Sequence, residues 1–246
     1  MSATRVGIFG RGKLGSAIAQ EIAAAPDMAL AWHVDMGDPE PAAGSADIAI
    51  DATTAEAVPG HLDWALATGT DLVVATTGWS IPDLEARVGR RIGLLTSPNF
   101  SLAVAFMARL AEVMGRFAAL DPDLDPYLTD HHHRQKADAP SGTAKRLAAA
   151  VMAGCPRKTG WTLDRPGPEQ LAISVLRAGI EFGAHTVGLD GPAETLELTH
   201  RARSRAVFAR GALLALRWLR GRKGLYTFDH VTSEILDPLF RFGGRS

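Results

Sequence analysis

The most chemically active stretch of the 246-residue chain lies between residues 130 and 144. It opens with an acid and three consecutive histidines, Asp130 to His133, continues to Lys136, and ends in Pro140-Ser141-Gly142-Thr143-Ala144. Histidine titrates near neutral pH and can act as a general acid, while a lysine adds a positive charge or a second proton. The stretch therefore predicts a site that binds an anion and donates a proton.

A helix is predicted to begin just after Pro140, because the apolar residues of 141–153 recur at helical spacing. The first amides of a helix have no partner inside it, and the helix start favours negative charge. We expect the amides and hydroxyls of Ser141, Gly142 and Thr143 to hold a carboxylate there. A plain surface loop is a weaker interpretation, because it would leave those amides beside a basic run without a ligand.

The three consecutive histidines also raise the question of a metal site. Adjacent histidines do not readily ligate one tetrahedral ion, and the carboxylates and the single Cys155 complete no familiar zinc spacing. We therefore expect no metal. If 126–131 is a strand, His131 and His133 point to one side and His132 to the other, although alternation alone does not say which side faces a substrate.

A second motif, Gly10-Arg11-Gly12-Lys13-Leu14-Gly15, directly follows a strand-like run and opens a helix. Asp35 follows Gly15 by 20 residues, at the end of the next strand-like run. This spacing is typical of dinucleotide binding, in which glycines let the backbone approach the pyrophosphate and the acid meets the ribose hydroxyls. The alternative is a tight turn without a ligand.

The charges around this motif leave the choice between NADH and NADPH unresolved. Asp35 favours NADH by repelling a 2′-phosphate, whereas Arg11 and Lys13 would attract one. Two later loops, Thr76-Thr77-Gly78 and Pro98-Asn99-Phe100, follow strand-like runs and are expected to line the nicotinamide side. Ordinary turn chemistry would select similar residues in those loops.

The order of apolar runs predicts the elements that position these residues. Five runs alternate with helix-like stretches in the first hundred residues, which indicates an α/β unit with a Rossmann-like parallel sheet. The runs are 5–9, 28–34, 46–51, 71–75 and 91–96. Later segments at 172–177, 180–189 and 194–200 are separated by turn residues, which suggests antiparallel pairing. An inserted α+β domain with a mostly antiparallel sheet is therefore expected.

Composition excludes several classes of partner. The chain has 26 Lys and Arg against 27 Asp and Glu, a net charge of −1, which gives no reason to expect nucleic acid or an anionic membrane as the main partner. No apolar run approaches the roughly 20 residues that cross a bilayer, and no export signal is visible at the start. One cysteine suits a reducing compartment, so we expect a cytoplasmic protein.

Residues 132–144 resemble the signature H-H-x-x-K-x-D-x-P-S-G-T-A of the dihydrodipicolinate reductase family. The likeness extends to Gly10–Gly15, Thr76–Gly78, Pro98–Ser101 and the stretch from Arg177 onward. It implies an enzyme of lysine and diaminopimelate biosynthesis. Such an enzyme transfers hydride from NADH or NADPH to a cyclic dicarboxylate, 4-hydroxy-tetrahydrodipicolinate, and gives tetrahydrodipicolinate.

The resemblance also assigns roles to residues. His132 matches the proton-donor position and Lys136 the catalytic lysine. The positions around the substrate carboxylates match His133, Lys136, Ser141, Gly142, Thr143 and Arg205. The positions around the cofactor match Gly10, Arg11, Gly12, Lys13, Leu14, Gly15, Asp35, Thr76, Thr77, Gly78, Pro98, Asn99 and Phe100.

The resemblance further implies a homotetramer that associates through the sheet of the inserted domain. The expected domains are 1–101 with 206–246 for the dinucleotide, and 102–205 for the substrate and oligomerisation. Two alternatives stay open: an NAD(P)H-dependent reductase of another small carboxylated imine, and a non-catalytic dinucleotide sensor.

Overall fold

The computed structural model describes residues 3–241, which form two compact units. One unit runs to Ser101 and resumes at Arg205, and the other is Leu102–Ser204. The strands of the described residues are β1 (Thr4–Phe9), β2 (Met28–Val34), β3 (Ile48–Asp51), β4 (Asp71–Val74), β5 (Gly93–Thr96), β6 (Asp125–His132), β7 (Gly160–Thr162), β8 (Gln170–Arg177), β9 (Ala184–Asp190), β10 (Thr195–Arg201) and β11 (Gly224–Thr227). The helices are α1 (Lys13–Ala23), α2 (Val58–Thr68), α3 (Leu84–Val88), α4 (Leu102–Ala118), α5 (Gly142–Gly154), α6 (Ala206–Leu219) and α7 (Phe228–Leu236), followed by a short 3₁₀ helix at Asp237–Phe240.

The first unit contains a six-stranded parallel sheet in the order β11-β5-β4-β3-β1-β2. This confirms the predicted Rossmann-like sheet. The chain passes from β1 outward to β2 and then returns to β3 on the other side of β1. Ligands of such sheets bind at the carboxyl ends of the strands where this reversal occurs. The loops after β1, β2 and β3 are therefore the places to look for a cofactor site.

Helices cover both faces of this sheet, which explains the nearly continuous apolar character of its strands. On one face, Ile8 of β1 packs with Ile18 of α1 and Leu216 of α6. On the other face, Phe9 packs with residues such as Leu62 of α2. Successive residues of one strand thus enter different cores, as the pleat of a strand requires.

The second unit has a mixed five-stranded sheet in the order β10-β9-β6-β8-β7. β9 is antiparallel to both β6 and β10, whereas β8 is parallel to both β6 and β7. The expected antiparallel pairing of β9 with β10 is confirmed. The expected antiparallel pairing of β8 with β9 was wrong, because β6 lies between them. The connection after β8 crosses the end of β6, where the Ala178 amide donates to the His132 carbonyl at 3.0 Å and the His133 amide to the Glu181 carbonyl at 2.8 Å.

Helices α4 and α5 pack closely together on one face of the second sheet. Two glycines permit this approach: a Cβ on Gly115 would lie 2.3 Å from the Val151 carbonyl oxygen, and one on Gly154 would lie 2.1 Å from that of Glu112. Backbone thus contacts backbone between the two helices. Among residues 3–241, no helix combines the length and apolarity needed to cross a bilayer.

Gly115→Ala should lower the stability of the protein, because the added methyl group has no room beside Val151. Overpacking of this kind costs about 1–3 kcal/mol, which circular dichroism detects as a lower midpoint of thermal unfolding. Gly60→Ala is the matched control, since Gly60 lies within α2 and an added Cβ there meets no atom within 4 Å. Equal midpoints for Gly115→Ala and the parent protein would contradict the close packing.

Candidate active site

Strand β6 delivers Asp130 and His132 to the interior of the second unit, where both are buried. They lie two residues apart and therefore share a face, while His131 points to the other side. The structure thus shows which side of β6 is buried, and His132 lies on that side. His132 Nδ1 lies 2.9 Å from Asp130 Oδ1, and a Cβ on Gly183 would lie only 2.8 Å from His132 Nε2. A glycine at 183 leaves room for this imidazole.

Asp130 is the centre of the buried polar groups in this unit. Its Oδ1 faces His132 and also His185 Nε2, at 3.3 Å, while its Oδ2 accepts from the Ser141 amide at 2.7 Å and from Arg177 at 2.9 Å. Burial raises the pKa of a carboxyl group, but the hydrogen bonds from His132, His185, the Ser141 amide and Arg177 outweigh it and hold the pKa of Asp130 far below its usual range. Asp130 is therefore ionised.

Arg177 of β8 connects this carboxylate to the loop that follows β6. Its guanidinium also donates to the Asp130 carbonyl at 2.9 Å and to the Asp138 carbonyl at 2.8 Å. In the same loop, Lys136 Nζ lies 2.7 Å from Asp138 Oδ1, and this hydrogen bond lowers the pKa of Asp138. Arg177 thus binds the loop that carries Lys136 to the sheet, through the carbonyl group of Asp138.

Helix α5 begins where expected, with Ser141 as its N-cap. The Ser141 amide donates to Asp130 Oδ2, while the hydroxyl accepts from the Ala144 amide at 3.1 Å and lies 3.2 Å from His185 Nε2. Ser141 thus fixes the start of the helix. A Cβ on Gly142 would meet no atom within 4 Å, so open space adjoins the first turn. The anion site predicted at this helix start has room beside Gly142.

Asp130, His132 and His185 also place three ligand-type atoms within 4.8 Å of one another, a spacing that a metal ion would fit. Sequence spacing missed this group, because His185 comes from β9, 55 residues further along the chain. Arg177 already neutralises Asp130 in the described residues. We therefore interpret the group as an acid that orients two imidazoles.

In the first unit, the glycine motif forms the turn from β1 into α1. Gly10 has φ +100°, and a Cβ there would lie 2.5 Å from the Ala52 carbonyl oxygen. A Cβ on Gly15 would lie 1.9 Å from the Gly10 carbonyl oxygen, so this glycine lets the helix approach the turn. Gly12, the N-cap of α1, faces open space. The geometry fits an anionic group at the exposed helix start.

A cavity of about 620 Å³ opens beside this turn, at the ends of the first three strands. Asp35 lines it and accepts from the Met36 amide at 2.9 Å and from the Arg11 amide at 3.1 Å. These hydrogen bonds lower the pKa of Asp35, so the cavity presents an ionised carboxylate. The remaining lining residues are Phe9, Gly10, Gly12, Val34, Met36, Gly37, Asp38, Pro39, Glu40, Pro41, Ala52, Thr53, Thr54, Ala57, Gly60, His61 and Trp64. Size and position suit the adenosine half of a dinucleotide.

Asp51, at the end of β3, is a buried carboxylate that sequence analysis missed. It accepts from Thr53 Oγ1 at 2.9 Å, from Thr76 Oγ1 and from His61, whose ring stacks on Phe9 at 4.0 Å. The cue was available, since Asp51 ends a strand whose carboxyl end faces the predicted site. Through this group, the loop after β4 is bound to the wall of the cavity.

The predicted cofactor residues differ in how far their side chains are exposed. Thr77, Gly78 and Pro98 are exposed, but Phe100 is 3% exposed and packs against Phe228. Leu14 also packs its side chain into the core of this unit. The predicted contacts of Phe100 and Leu14 would therefore have to come from their backbone atoms.

The structure brings most of the predicted substrate residues together in the second unit, with one exception. His132, His133, Lys136 and the start of α5 come from β6 and the chain that follows it. Arg205 lies in the first unit, at the N-cap of α6. The predicted inserted domain had included this residue.

Comparison with protein families gives two adjoining matches. Residues 4–100 match the model described as dihydrodipicolinate reductase, N-terminus, and residues 101–232 match dihydrodipicolinate reductase, C-terminus. Relatives include proteins named 4-hydroxy-tetrahydrodipicolinate reductase from Gluconobacter oxydans and Anaeromyxobacter dehalogenans. The first is 38% identical over 92% of this chain and 96% of its own length, and the second 35% identical over 93% and 97%.

Among solved structures, a dipicolinate-bound dihydrodipicolinate reductase from Paenisporosarcina sp. TG-14 has the same fold. The TM-score is 0.74 at 23% identity, over 93% of this chain and 99% of that one. An engineered D-amino acid dehydrogenase bound to NADP⁺ shares the fold more loosely, with a TM-score of 0.53, 15% identity and coverage of 98% and 100%.

Asp130→Asn should destabilise the protein by about 3 kcal/mol at neutral pH, because it removes a buried carboxylate and leaves partly buried Arg177 without its counter-ion. The folded-state pKa of Asp130 lies below the unfolded value, so its ionised form stabilises the fold above about pH 4 and loses this effect as the pH falls. Urea unfolding of parent and variant as a function of pH measures the difference, which should be constant near neutrality and shrink in acid.

Asp164→Asn, at an exposed position of the same unit, is the control and should change stability by less than about 0.5 kcal/mol. If Asp130→Asn unfolds at the same urea concentration as the parent at neutral pH, the central role of this carboxylate is wrong.

Proposed function

The chain belongs to the dihydrodipicolinate reductase family, and we propose that it reduces 4-hydroxy-tetrahydrodipicolinate to tetrahydrodipicolinate in lysine and diaminopimelate biosynthesis. It is an NAD(P)H-dependent oxidoreductase that acts on a small-molecule dicarboxylate. The observation that supports this proposal is the buried Asp130–His132 pair, whose acid also accepts from the Ser141 amide at the start of α5. His132, Lys136 and the start of α5 belong to the stretch 132–144 that resembles the family signature, and Asp130 precedes that stretch by two residues.

The second unit would bind the two substrate carboxylates. The amides of Gly142 and Thr143 at the start of α5 offer donors and the positive end of the helix dipole. His133 and Lys136 add charge from the preceding loop, and Arg205 is proposed as a further ligand. Ser141 acts by fixing the helix start. Holding the ring at both ends would supply the proximity that transfer to one carbon requires.

His132 and Lys136 are the proposed proton donors. Asp130 faces His132 Nδ1, which leaves Nε2 as the nitrogen that faces away from the acid. The carboxylate of Asp130 orients the imidazole, and His132 would donate its proton from Nε2 as negative charge develops on the substrate. Lys136 lies 2.7 Å from Asp138, and a bound substrate carboxylate would compete for its ammonium group. Loss of the 4-hydroxyl group as water consumes one proton.

The first unit would hold the dinucleotide, which supplies the hydride when bound. Gly12 and the other motif glycines leave space at the start of α1, where the pyrophosphate would lie, and Asp35 would accept hydrogen bonds from ribose hydroxyls. Arg11, Lys13 and the backbone of Leu14 complete this turn. The proposed nicotinamide contacts are Thr76, Thr77, Gly78, Pro98, Asn99 and the backbone of Phe100.

We further propose a cytoplasmic homotetramer that associates through the second sheet. Helices α4 and α5 cover one face of this sheet, and the other face presents alternate residues such as Thr129, Ser174 and Thr186. Leu176 lies on the same side and is 52% exposed. A flat face of small side chains next to an exposed leucine suits association with another sheet. The one cysteine, Cys155, is buried, which agrees with a reducing compartment.

Activity is tested by NADH and NADPH oxidation at about 340 nm, with substrate formed in situ from pyruvate and aspartate semialdehyde. Lys136→Ala should lower turnover by about 10²–10⁴-fold, because it removes a charge at the carboxylates and a proton donor. His131→Ala, in the strand that precedes the Lys136 loop, is the control. It should change turnover by less than about threefold, since His131 points away from Asp130.

Equal losses of turnover in Lys136→Ala and His131→Ala would mean that a disturbed strand, and not the missing Lys136 side chain, lowers the activity. Cofactor binding without turnover by the parent would point to another carboxylated imine or to a dinucleotide sensor.

The tetramer is tested by sedimentation velocity of the purified protein. Leu176→Asp should yield smaller species, because it places a charge on the proposed contact face. Leu239→Asp, at an exposed leucine of the first unit, should leave the sedimentation coefficient unchanged. A parent protein that sediments as a monomer would refute the assembly.

A further inference from the structure

The Asp, Glu, Lys and Arg side chains among the described residues that line the cavity beside Asp35 all carry negative charge. Its lining residues that are fully charged at neutral pH are Asp35, Asp38 and Glu40, all acidic. Asp35 is ionised, since amides of Met36 and Arg11 lower the pKa of its carboxyl group. The lining residue that follows Asp35 is Met36, an exposed and uncharged side chain. Among the described lining residues, the ribose end of the cavity therefore offers acceptors for hydroxyl groups and no Lys or Arg for a phosphate.

Arg11 lies close to the ribose end of the cavity, but its guanidinium group is bound to His33 and Asp38. Its Nε and one terminal nitrogen donate to the His33 carbonyl at 3.0 and 2.7 Å, and its other terminal nitrogen lies 2.8 Å from Asp38 Oδ2. All three guanidinium nitrogens thus have partners. Lys13 is exposed in the first turn of α1 and does not line the cavity.

Asp38 also holds the turn that presents Asp35. The Asp35 amide donates to Asp38 Oδ2 at 2.9 Å, and the Asp38 amide donates to the Asp35 carbonyl at 3.0 Å. One carboxylate oxygen of Asp38 therefore contacts both the backbone of Asp35 and the side chain of Arg11. Its negative charge lies within the turn where a ribose 2′-substituent would approach Asp35.

From this geometry we infer that the protein prefers NADH to NADPH and that Asp38 is a specificity-determining residue. This inference rests on the proposed function, because it assumes that the cavity holds the adenosine of the cofactor. Asp38 acts in two ways: it repels a 2′-phosphate directly, and it holds the Arg11 guanidinium away from the position in which it would bind that phosphate. Asp35 alone would account only for the hydrogen bonds to the ribose hydroxyls.

The expected discrimination follows from the charges. A 2′-phosphate brings about two negative charges beside Asp35 and Asp38, and each like-charge pair at about 4–5 Å in a solvated site weakens binding by about fivefold. The parent protein should therefore bind NADH at least about tenfold more tightly than NADPH.

The test measures equilibrium dissociation constants of NADH and NADPH by cofactor fluorescence, without substrate, on the full chain. Asp38→Asn should tighten NADPH binding by about fivefold and leave NADH binding within about twofold, because it removes one charge and releases Arg11. In the double variant Asp38→Asn with Arg11→Gln, most of this gain should be lost. Glu40→Gln is the matched control, since Glu40 lines the same cavity without an ion pair to Arg11 in the described residues.

The outcomes separate this inference from the proposed function. Equal affinity of the parent for both cofactors, or an equal response of both cofactors to Asp38→Asn, would overturn the inference while the reductase proposal stands. A gain for NADPH in Glu40→Gln as large as that in Asp38→Asn would show that general charge, and not Asp38, sets the preference. If neither cofactor binds, the cofactor half of the proposed function is wrong as well.

Discussion

One buried carboxylate, Asp130, connects the elements from which the second unit builds its site. Its carboxylate accepts hydrogen bonds from Arg177 of β8 and from the Ser141 amide at the start of α5. It also lies within ion-pair distance of His132 of its own strand and of His185 of β9. A buried charge is stable only if it is paired and hydrogen-bonded, so these four elements must keep their relative positions. This requirement explains why β6 lies in the middle of the sheet, with β8 and β9 on either side.

The first unit also holds its carboxylates by hydrogen bonds. There, the carboxyl ends of parallel strands place acids at the rim of a cavity, and each acid is held by backbone amides or by polar side chains. Asp35 accepts from amides of the turns after β1 and β2, while buried Asp51 binds Thr76 and His61. Glycines at 10 and 15 allow the turn to approach closely. The unit thus presents fixed negative charge toward sugar hydroxyls and a helix start toward an anion.

Much of the fold and of the site was predictable from the sequence. The features that were not predictable each have a physical reason. Apolar runs located five of the six strands of the parallel sheet to within about two residues, because buried strands need continuous apolar residues. They did not predict β11, which joins the sheet from the far end of the chain. Short turns between β8 and β9 suggested a hairpin, yet local turn signals do not reveal that β6 inserts between them. Arg177 and His185 were outside the predicted site, since their contacts with Asp130 depend on that strand order. Phe100 followed a strand as a ligand residue would, but its side chain packs with Phe228.

The reaction proposed for this chain is hydride transfer from a reduced dinucleotide to the cyclic dicarboxylate. The most direct measurement uses NADH deuterated at both C4 positions, with substrate formed in situ, and mass spectrometry of the product. We predict that tetrahydrodipicolinate gains one deuterium and that oxidised cofactor appears in equal amount. Oxidation of the cofactor with an unlabelled product, or no product at all, would contradict the account.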